Sequence, residues 1–326
     1  MTDYDCIVVG ARCGGATLAA HLSRAGMRVL ALDADKLHSD QPFSTHVLQT
    51  PAVEWLDELG VGDQLRACTP PVFTSRIAVR EHAMDIPMPV DHPLYCPRRS
   101  TLDPLLQDAA IAAGAELRPE TRVTELLYED GRVCGVRAEH AGQSERLRAR
   151  WVIGADGRNS TVARLLGARD YVEHVSERGG YWAYFPKPGC WDREDPYRRF
   201  QTVIQLDRVA HFAFECDGDL LVMGTFAPVD VVRGWGQRYR EELLASLRRT
   251  PLTAALAEAE PVSRCLGLIK TRFYMREAAG PGWALVGDAG MHKDPTPGFG
   301  ITDAMHDAAA LAPALLDGRP EALERF

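Results

Sequence analysis

The first residues set the hydrophobic pattern of the chain. Residues 5–10 (Asp-Cys-Ile-Val-Val-Gly) form a short apolar run ending on glycine. A run of that length without polar alternation reads as a buried parallel strand. Residues 14–25 are small, apolar and helix-forming, and Gly26 stands just past the last turn, where glycine ends a helix. Residues 28–33 supply a second strand that closes on an acid. A complete βαβ unit is therefore predicted within the first 33 residues.

Residues 101–113 predict another helix, ended by Gly114. Strands follow at 115–119, 121–128 and 132–138, the last two joined by a tight Glu129-Asp130-Gly131 turn. Residues 151–155 read as a further buried strand and 160–167 as a helix. From about residue 170 to 230 the character changes. Aromatic-rich alternating runs at 180–185, 199–206, 209–215 and 220–227, set apart by Gly, Pro and Asp, predict antiparallel sheet. An amphipathic helix is expected over 237–249, with Arg238 and Arg240 on its solvated face. A buried strand returns at 283–287 and an Ala-rich helix at 301–316. A nucleotide-type α/β region is thus interrupted by a sheet region and then resumed.

Composition narrows the class. With 326 residues the chain suggests about two domains and needs no disulfide or metal staple. Its 46% hydrophobic and 25% charged residues exclude a disordered or collagen-like chain. A formal net charge of -8 argues against broad electrostatic binding of nucleic acid. An acidic chain binds phosphate only through local backbone dipoles or a few placed arginines. No stretch reaches the length of an apolar membrane helix, and the acidic N-terminus does not read as a secretory signal. The eight cysteines form no CxxC pair, and Cys6, Cys134 and Cys216 lie inside apolar runs. Reduced thiols, a cytoplasmic location and no metal site are expected.

Three glycine motifs carry the candidate chemistry. The first is Gly10-Ala11-Arg12-Cys13-Gly14-Gly15, directly after the first strand. A dinucleotide fingerprint needs a tight turn, close approach of backbone to pyrophosphate, and close packing of helix on strand. Gly10 and Gly15 fill the first and third places, and Arg12 stands where the second glycine belongs. Helix N-terminal amides supply the remaining anion contacts. Asp33, followed by Ala34, ends the second strand where a carboxylate can accept from an adenosine ribose. Taken alone, this motif is also compatible with a glycine-rich βα turn that holds no ligand. The second motif, Gly154-Ala155-Asp156-Gly157-Arg158, follows a buried strand and opens a helix through Ser160 and Arg164. Alone, Asp156-Gly157 is only a turn. The third runs from Gly287-Asp288 through His292, Lys293, Pro295 and Gly298 to Gly300-Ile301, where a helix begins. Asp288 is placed to bind a hydroxyl, and the helix aims its positive end beside the loop.

Together, in order and spacing, these motifs resemble the flavoprotein monooxygenase family of the para-hydroxybenzoate hydroxylase type, with its flavin halogenase and geranylgeranyl reductase relatives. The wording of the third motif resembles a bacterial subgroup of NAD(P)/FAD-dependent oxidoreductases, many tied to secondary metabolism. Ser44-Thr45-His46 and Arg99-Ser100-Thr101-Leu102-Asp103 also match. The resemblance implies that the first motif binds the FAD diphosphate. It implies that the second serves FAD and the nicotinamide cofactor, that the third flanks the ribityl chain and the flavin ring, and that Arg99 is an FAD contact. The halogenase Trp-x-Trp-x-Ile-Pro box is missing. Tyr181-Trp182-Ala183-Tyr184-Phe185-Pro186 half resembles the reductase box but lacks its central Trp. Members of the family continue with more helices, so the chain is expected to be a short variant or a truncated one.

The fold class expected is α/β, in the α+β two-domain sense: a Rossmann-like FAD-binding domain interrupted by an antiparallel-sheet substrate domain. Residues 1–70, 95–168 and 281–326 are assigned to the first, and 71–94 and 169–280 to the second. His46, His292 and Pro295 are the candidate catalytic residues. His46 either lies over the flavin or is a hydrogen-bonding loop histidine. His292 either donates a proton or holds its loop. Lys293 either favours a reduced flavin or is structural. Trp182, Tyr184, Phe212, Phe214 and Phe226 are expected to divide between a pocket ceiling and plain core. The leading activity is monooxygenation of a small aromatic or polyketide-like compound with FAD, NAD(P)H and O2. Reduction of a C=C bond, or non-catalytic flavin binding, are the alternatives. The sequence names neither the substrate nor the oligomeric state.

Overall fold

The computed structural model describes residues 2–38, 41, 43–79, 82–191, 200–206, 208–319, 322–323 and 326. The chain opens with β1 (Tyr4–Val9), α1 (Cys13–Arg24) and β2 (Val29–Leu32), the expected βαβ unit. Helices α2 (Thr50–Glu58) and α3 (Gly62–Cys68) follow. Strands β3 (Pro71–Val72), β4 (Thr74–Val79), β5 (His82–Pro87) and β6 (Leu94–Tyr95) precede α4 (Arg99–Ala112). Next come β7 (Glu116–Arg118), β8 (Thr121–Glu129), β9 (Arg132–His140), β10 (Gln143–Gly154) and α5 (Thr161–Leu166). The middle of the chain gives β11 (Asp170–Val175), β12 (Arg178–Pro186), β13 (Phe200–Leu206), β14 (Val209–Cys216) and β15 (Leu220–Pro228). Helices α6 (Val229–Gly234), α7 (Tyr239–Leu247) and α8 (Pro251–Leu256) come after them. The last part holds β16 (Leu266–Leu268), β17 (Arg272–Arg276), β18 (Ala279–Gly280), β19 (Trp283–Leu285), β20 (Met291–His292) and α9 (Gly300–Asp317).

An eight-stranded sheet follows the path β18-β19-β10-β1-β2-β7, with β8 and β9 branching from β10. Strands β19, β10, β1, β2 and β7 run parallel, with Val9 opposite both Leu32 and Gly154, and Gly154 opposite Leu285. The carboxyl ends of β1, β10 and β19 therefore lie side by side. Each delivers one of the three glycine motifs. Ligands of open parallel sheets bind in the crevice at such strand ends.

Both faces of this sheet are covered, which is why its strands show no alternation in the sequence. Cys6 and Val8 pack into a core with α1, α4 and α9. Ile7 and Val9 pack into a second core beneath β8, β9 and α5. The strand expected at 151–155 is the end of a longer one. Residues 143–148 are mostly polar and exposed and pair antiparallel with β9, so no apolar run announces them.

A seven-stranded sheet has the order β16-β12-β15-β14-β13-β4-β5. It is antiparallel as expected except at one pairing: β4 lies parallel to β13, with Thr74 opposite Phe200. Parallel pairing is open to β4 because it arrives from a distant part of the chain rather than through a hairpin. One face, with Phe185, Leu221 and Met223, packs on α6, α7 and α8. The other carries Trp182, Tyr184, Phe212, Phe214 and Phe226. The helix expected over 237–249 is shorter, and Arg238 and Arg240 make exposed ion pairs with Glu242 and Glu260. Such pairs contribute little. A three-stranded sheet, β11-β17-β20, and a small β3-β6 pair complete the fold. None of the eight cysteines is bonded to another. Among the described residues no helix is long and apolar enough to cross a membrane.

Two features make the fold testable. A side chain at Gly15 would run into the Gly10 carbonyl, so α1 can approach β1 only with glycine there. Gly15→Ala should destabilise the protein by about 1–3 kcal/mol, the usual cost of overpacking. A lower denaturant midpoint with an unchanged m-value would show it. The second feature is His211 on β14, buried with Nε2 3.0 Å from the Ser246 hydroxyl. Burial, helped by Arg249, pushes its pKa from 6.5 down to about 4. Between those values the unfolded chain binds the proton and the folded chain does not, so acid favours unfolding. Its contribution is complete above about pH 6.5 and is lost as the pH falls towards 4. His211→Gln should flatten the fall of stability across that window, measured by urea unfolding at a series of pH values.

Candidate functional site

The three motifs open onto one cavity of about 610 Å3, a size typical of small-molecule and cofactor sites. Its floor begins at Gly10. The chain turns there with φ +99°, and a side chain would stand 2.5 Å from the Ala155 carbonyl oxygen. Arg12 is the N-cap of α1 but caps it with no side-chain bond, and the first turn holds no acid. The first amides of α1 are thus left without intrahelical acceptors, and Cys13 and Gly14 line the cavity. An anion fits there without any lysine. The Arg12 side chain also lines the cavity and pairs with Asp35 at 2.8 Å.

Asp33 sits beside this turn. Its carboxylate accepts the Ala11 amide at 2.8 Å and the Asp35 amide at 2.9 Å. A carboxylate offers about four lone-pair sites, so capacity remains for a hydroxyl. Asp33 and Ala34 both line the cavity. Ala11 and Gly15 do not: Ala11 acts through its amide on Asp33, and Gly15 through packing. Across the cavity Arg99, the first residue of α4, lies with its fork on the fully buried Asp103 at 2.8 and 2.9 Å. The Cys13 thiol donates to the same carboxylate at 3.3 Å. Burial pushes that thiol up to about 12, so it stays protonated.

In the second motif Asp156 has a structural task as well. The Asp156 carboxylate accepts Ser160 Oγ at 2.5 Å and the amides of Thr161 and Val162 at 2.7 and 3.2 Å. It lines the cavity, but its oxygens are committed to the N-terminus of α5. Gly157 carries the turn with φ +75° and also lines the cavity.

In the third motif β19 stops at Leu285, and Gly287–Ala289 forms a single 3-10 turn. Gly287, at φ +60°, donates its amide to Asp307 at 2.9 Å. Asp288 lines the cavity, and burial pushes its carboxyl up while His292, Arg158 and Arg99 pull it back. His292 bonds the Arg272 carbonyl through Nδ1 at 2.7 Å. A carbonyl only accepts, so Nδ1 donates to it, and Nε2 lies 3.9 Å from the Asp288 carboxylate. Lys293 is paired with Asp303 at 2.8 Å, which offsets its charge. Pro295, Gly298, Gly300 and Ile301 all line the cavity. Gly298 turns at φ +72° against Val47, and a side chain at Gly300 would enter open space. No side chain caps α9.

The far wall is apolar. Trp182, Phe226, Leu268, Phe43 and Val47 form it, with Phe43 edge-on to Trp182 at 5.9 Å. Tyr184 holds His46, with its hydroxyl 2.6 Å from Nε2 and the rings stacked at 5.5 Å. Phe212 and Phe214 are core behind Phe226. His46 lines the cavity wall but exposes no surface, at φ +66°. Burial, with Arg99 and Arg98 nearby, pushes its pKa down to about 3, so it is neutral. Sequence reasoning did not single out Arg158, although it follows Gly157 in the second motif and lines the cavity. Tyr274 had no signal. Its hydroxyl bridges the carbonyls of Arg158 and Asp288 at 2.9 and 2.6 Å, tying two motifs together. Among the described residues no cluster of His, Cys, Asp and Glu is arranged to hold a metal.

The residues present fit a dinucleotide: a side-chain-free turn, an uncapped helix end and an acid at the neighbouring strand end. Comparison with known proteins agrees. A family model described as an FAD binding domain matches residues 3–318. The chain is 27% identical over 318 residues to digeranylgeranylglycerophospholipid reductase 2 of Methanococcoides burtonii, covering 95% of this chain and 73% of that one. It is 28% identical over 345 residues to 6-methylpretetramide 4-monooxygenase of Streptomyces rimosus, covering 99% and 78%. Among solved structures, the myxobacterial chondrochloren halogenase CndH superposes with a TM-score of 0.89 at 21% identity, covering 99% of this chain and 78% of the other. PqsL from Pseudomonas aeruginosa gives 0.84 at 21%, covering 98% and 90%. At that identity the structures speak for the fold alone. The family match spans almost the whole chain and falls on the three strand ends that frame the cavity, and the chain belongs to the FAD binding domain family of FAD-dependent oxidoreductases.

Proposed function

We propose that the chain is an FAD-dependent monooxygenase that uses NAD(P)H and O2 to hydroxylate or epoxidise a small aromatic or polyketide-like compound. The observation that carries this reading is a cavity with two unlike sides. One side is backbone amides, glycine turns and acids; the other is Trp182, Phe226, Leu268 and Phe43. The first suits a dinucleotide and the second a flat apolar substrate. Similarity to the Streptomyces monooxygenase along nearly the whole chain supports it. The reading divides the chain into an FAD-binding part (1–70, 95–168, 281–326) and a substrate part (71–94, 169–280). The seven-stranded sheet, drawn from residues 74–87 and 178–268, supports that division.

The α1 amides would hold the diphosphate, Asp33 the ribose, and Asp288 the ribityl chain, with Gly298 to Ile301 against the ring. The chemistry supplied by bound FAD is oxidation of NAD(P)H and activation of O2. One oxygen atom goes to the substrate, and the other leaves as water with the two electrons and one proton of NAD(P)H and a proton from solvent. The protein's residues orient and exclude. The uncapped start of α9 favours negative charge beside the loop. The aromatic wall keeps water from the substrate side. His292, fixed by the Arg272 carbonyl, presents Nε2 beside Asp288. His46 is held neutral and braces Tyr184, so it is not an acid at neutral pH.

A second reading has its own support: the archaeal reductase matches 95% of the chain at nearly the same identity as the monooxygenase. The same cavity would then saturate a C=C bond. One experiment separates the readings. The boiled holoprotein should release FAD, not FMN. NADH and NADPH oxidation should then be followed with and without O2 over a panel of aromatic and polyketide-like compounds. An oxygenated product formed with matching O2 consumption supports monooxygenation. A reduced product formed anaerobically supports the reductase. A colourless protein that cannot be reconstituted would sink both.

The ring contact is tested at Gly300. A Cβ there has no protein atom within 4 Å, so the fold should tolerate a side chain. Gly300→Val should keep the wild-type circular dichroism and thermal midpoint but lose most bound flavin or most turnover. Wild-type flavin content and turnover would mean that this loop is not beside the ring.

A further inference from the structure

Helix α4 begins with two arginines in succession: Arg98 is its N-cap and Arg99 its first helical residue. Only Arg99 lines the cavity. Two carboxylates sort them. Asp103, one turn along α4, takes the fork of Arg99. Asp217, in the turn between β14 and β15, takes Arg98, with Nε at 3.0 Å and Nη2 at 2.9 Å. It also accepts the backbone amide of Arg98 at 2.7 Å and the hydroxyl of Thr101 at 2.6 Å. No side chain of α4 itself caps the helix. A carboxylate from the other sheet does so, with its side chain only 6% exposed. Gly218 beside it turns at φ +70°, and a side chain there would stand 2.9 Å from Arg98 Nη2. The turn is thus shaped to admit the guanidinium. Burial would raise the Asp217 carboxyl, but the bonds from Thr101 and Arg98 outweigh it and hold it below its usual range.

We propose that Asp217 is a positioning residue for the cofactor: by holding Arg98 and the first turn of α4, it commits Arg99 to the cavity. This rests on the reading of Arg99 as an FAD contact. The physical reason is anchoring. Asp217 fixes the backbone amide and guanidinium of Arg98 and the hydroxyl of Thr101, on either side of Arg99. Asp103 takes the Arg99 fork from within the same helix. Without the Asp217 charge the start of α4 loses its hold on the seven-stranded sheet, so Arg99 loses its fixed direction. The turn of the seven-stranded sheet thereby acts on the cofactor without touching it.

A double-mutant cycle tests this on the full chain stripped of flavin, with FAD affinity read from quenching of flavin fluorescence. Arg99→Met should weaken FAD by about tenfold or more, as expected for loss of a charged hydrogen bond. Asp217→Asn keeps an acceptor for the Arg98 amide but loses the charge, and should weaken FAD severalfold. The double variant should bind no more than about twofold weaker than Arg99→Met alone, because the two act on one contact. Losses that multiply would show that Asp217 is merely structural and would overturn the proposal, as would wild-type affinity in Asp217→Asn. If Arg99→Met itself binds like wild type, the reading of Arg99 falls and the proposal with it. If it weakens binding while the losses multiply, only the proposal falls. Should Asp217→Asn fail to fold, Thr101→Val removes a single bond to the same carboxylate and is carried through the same cycle.

Discussion

There is no room for a side chain at Gly10. Its Cα faces the Ala155 carbonyl of the neighbouring strand end, and the helix that follows presses Gly15 onto Gly10 itself. This crowding lets the start of α1 come down onto the ends of β1 and β10, and everything else in the site is arranged around it. The parallel register then brings the end of β19 alongside, with Gly14 lying against Val286 and Ala304. Three backbones meet where side chains would have kept them apart. The ligand's place is left by what the sequence omits.

That arrangement also leaves an acidic chain a place for an anion. The field of an uncapped helix end is local and falls off within a turn. The surrounding acids are mostly occupied. Asp33 braces the glycine turn, Asp156 caps α5, Asp103 holds Arg99 and Asp307 holds the Gly287 amide. They serve as internal acceptors for backbone and an arginine at the cavity, so a net charge of -8 does not set the field there.

The parts legible in the sequence are those that local chemistry decides. Apolar runs ending on glycine announced β1, β10 and β19, and the motifs after them named nearly all the glycines of the cavity. Alternation announced β12, β14 and β15, whose aromatics Trp182, Tyr184, Phe212, Phe214 and Phe226 share one face. What stayed hidden depends on partners far away in the chain. Strands β4 and β5 are mixed in sequence and largely exposed, and their pairing beside β13 makes them sheet. Helices α2 and α3 are brief, with few buried positions. The role of Asp156 turned on where its oxygens point, and spacing does not encode that. Tyr274 joins two motifs through carbonyls, and no residue pattern marks a carbonyl as taken.

The parallel sheet has a temporal consequence. Its central strands β1 and β2 come from the first residues of the chain, while β19 and α9 come from the last fifty or so. During synthesis the glycine turn of α1 leaves the ribosome on the order of tens of seconds before the wall that faces it, at about 5–20 residues per second. Through that interval the apolar side of α1 that later meets Met305 and Ala308 has no partner within the chain. The cradle is therefore closed only once β19 and α9 have been made. A nascent chain is exposed at the helix face that α9 will bury.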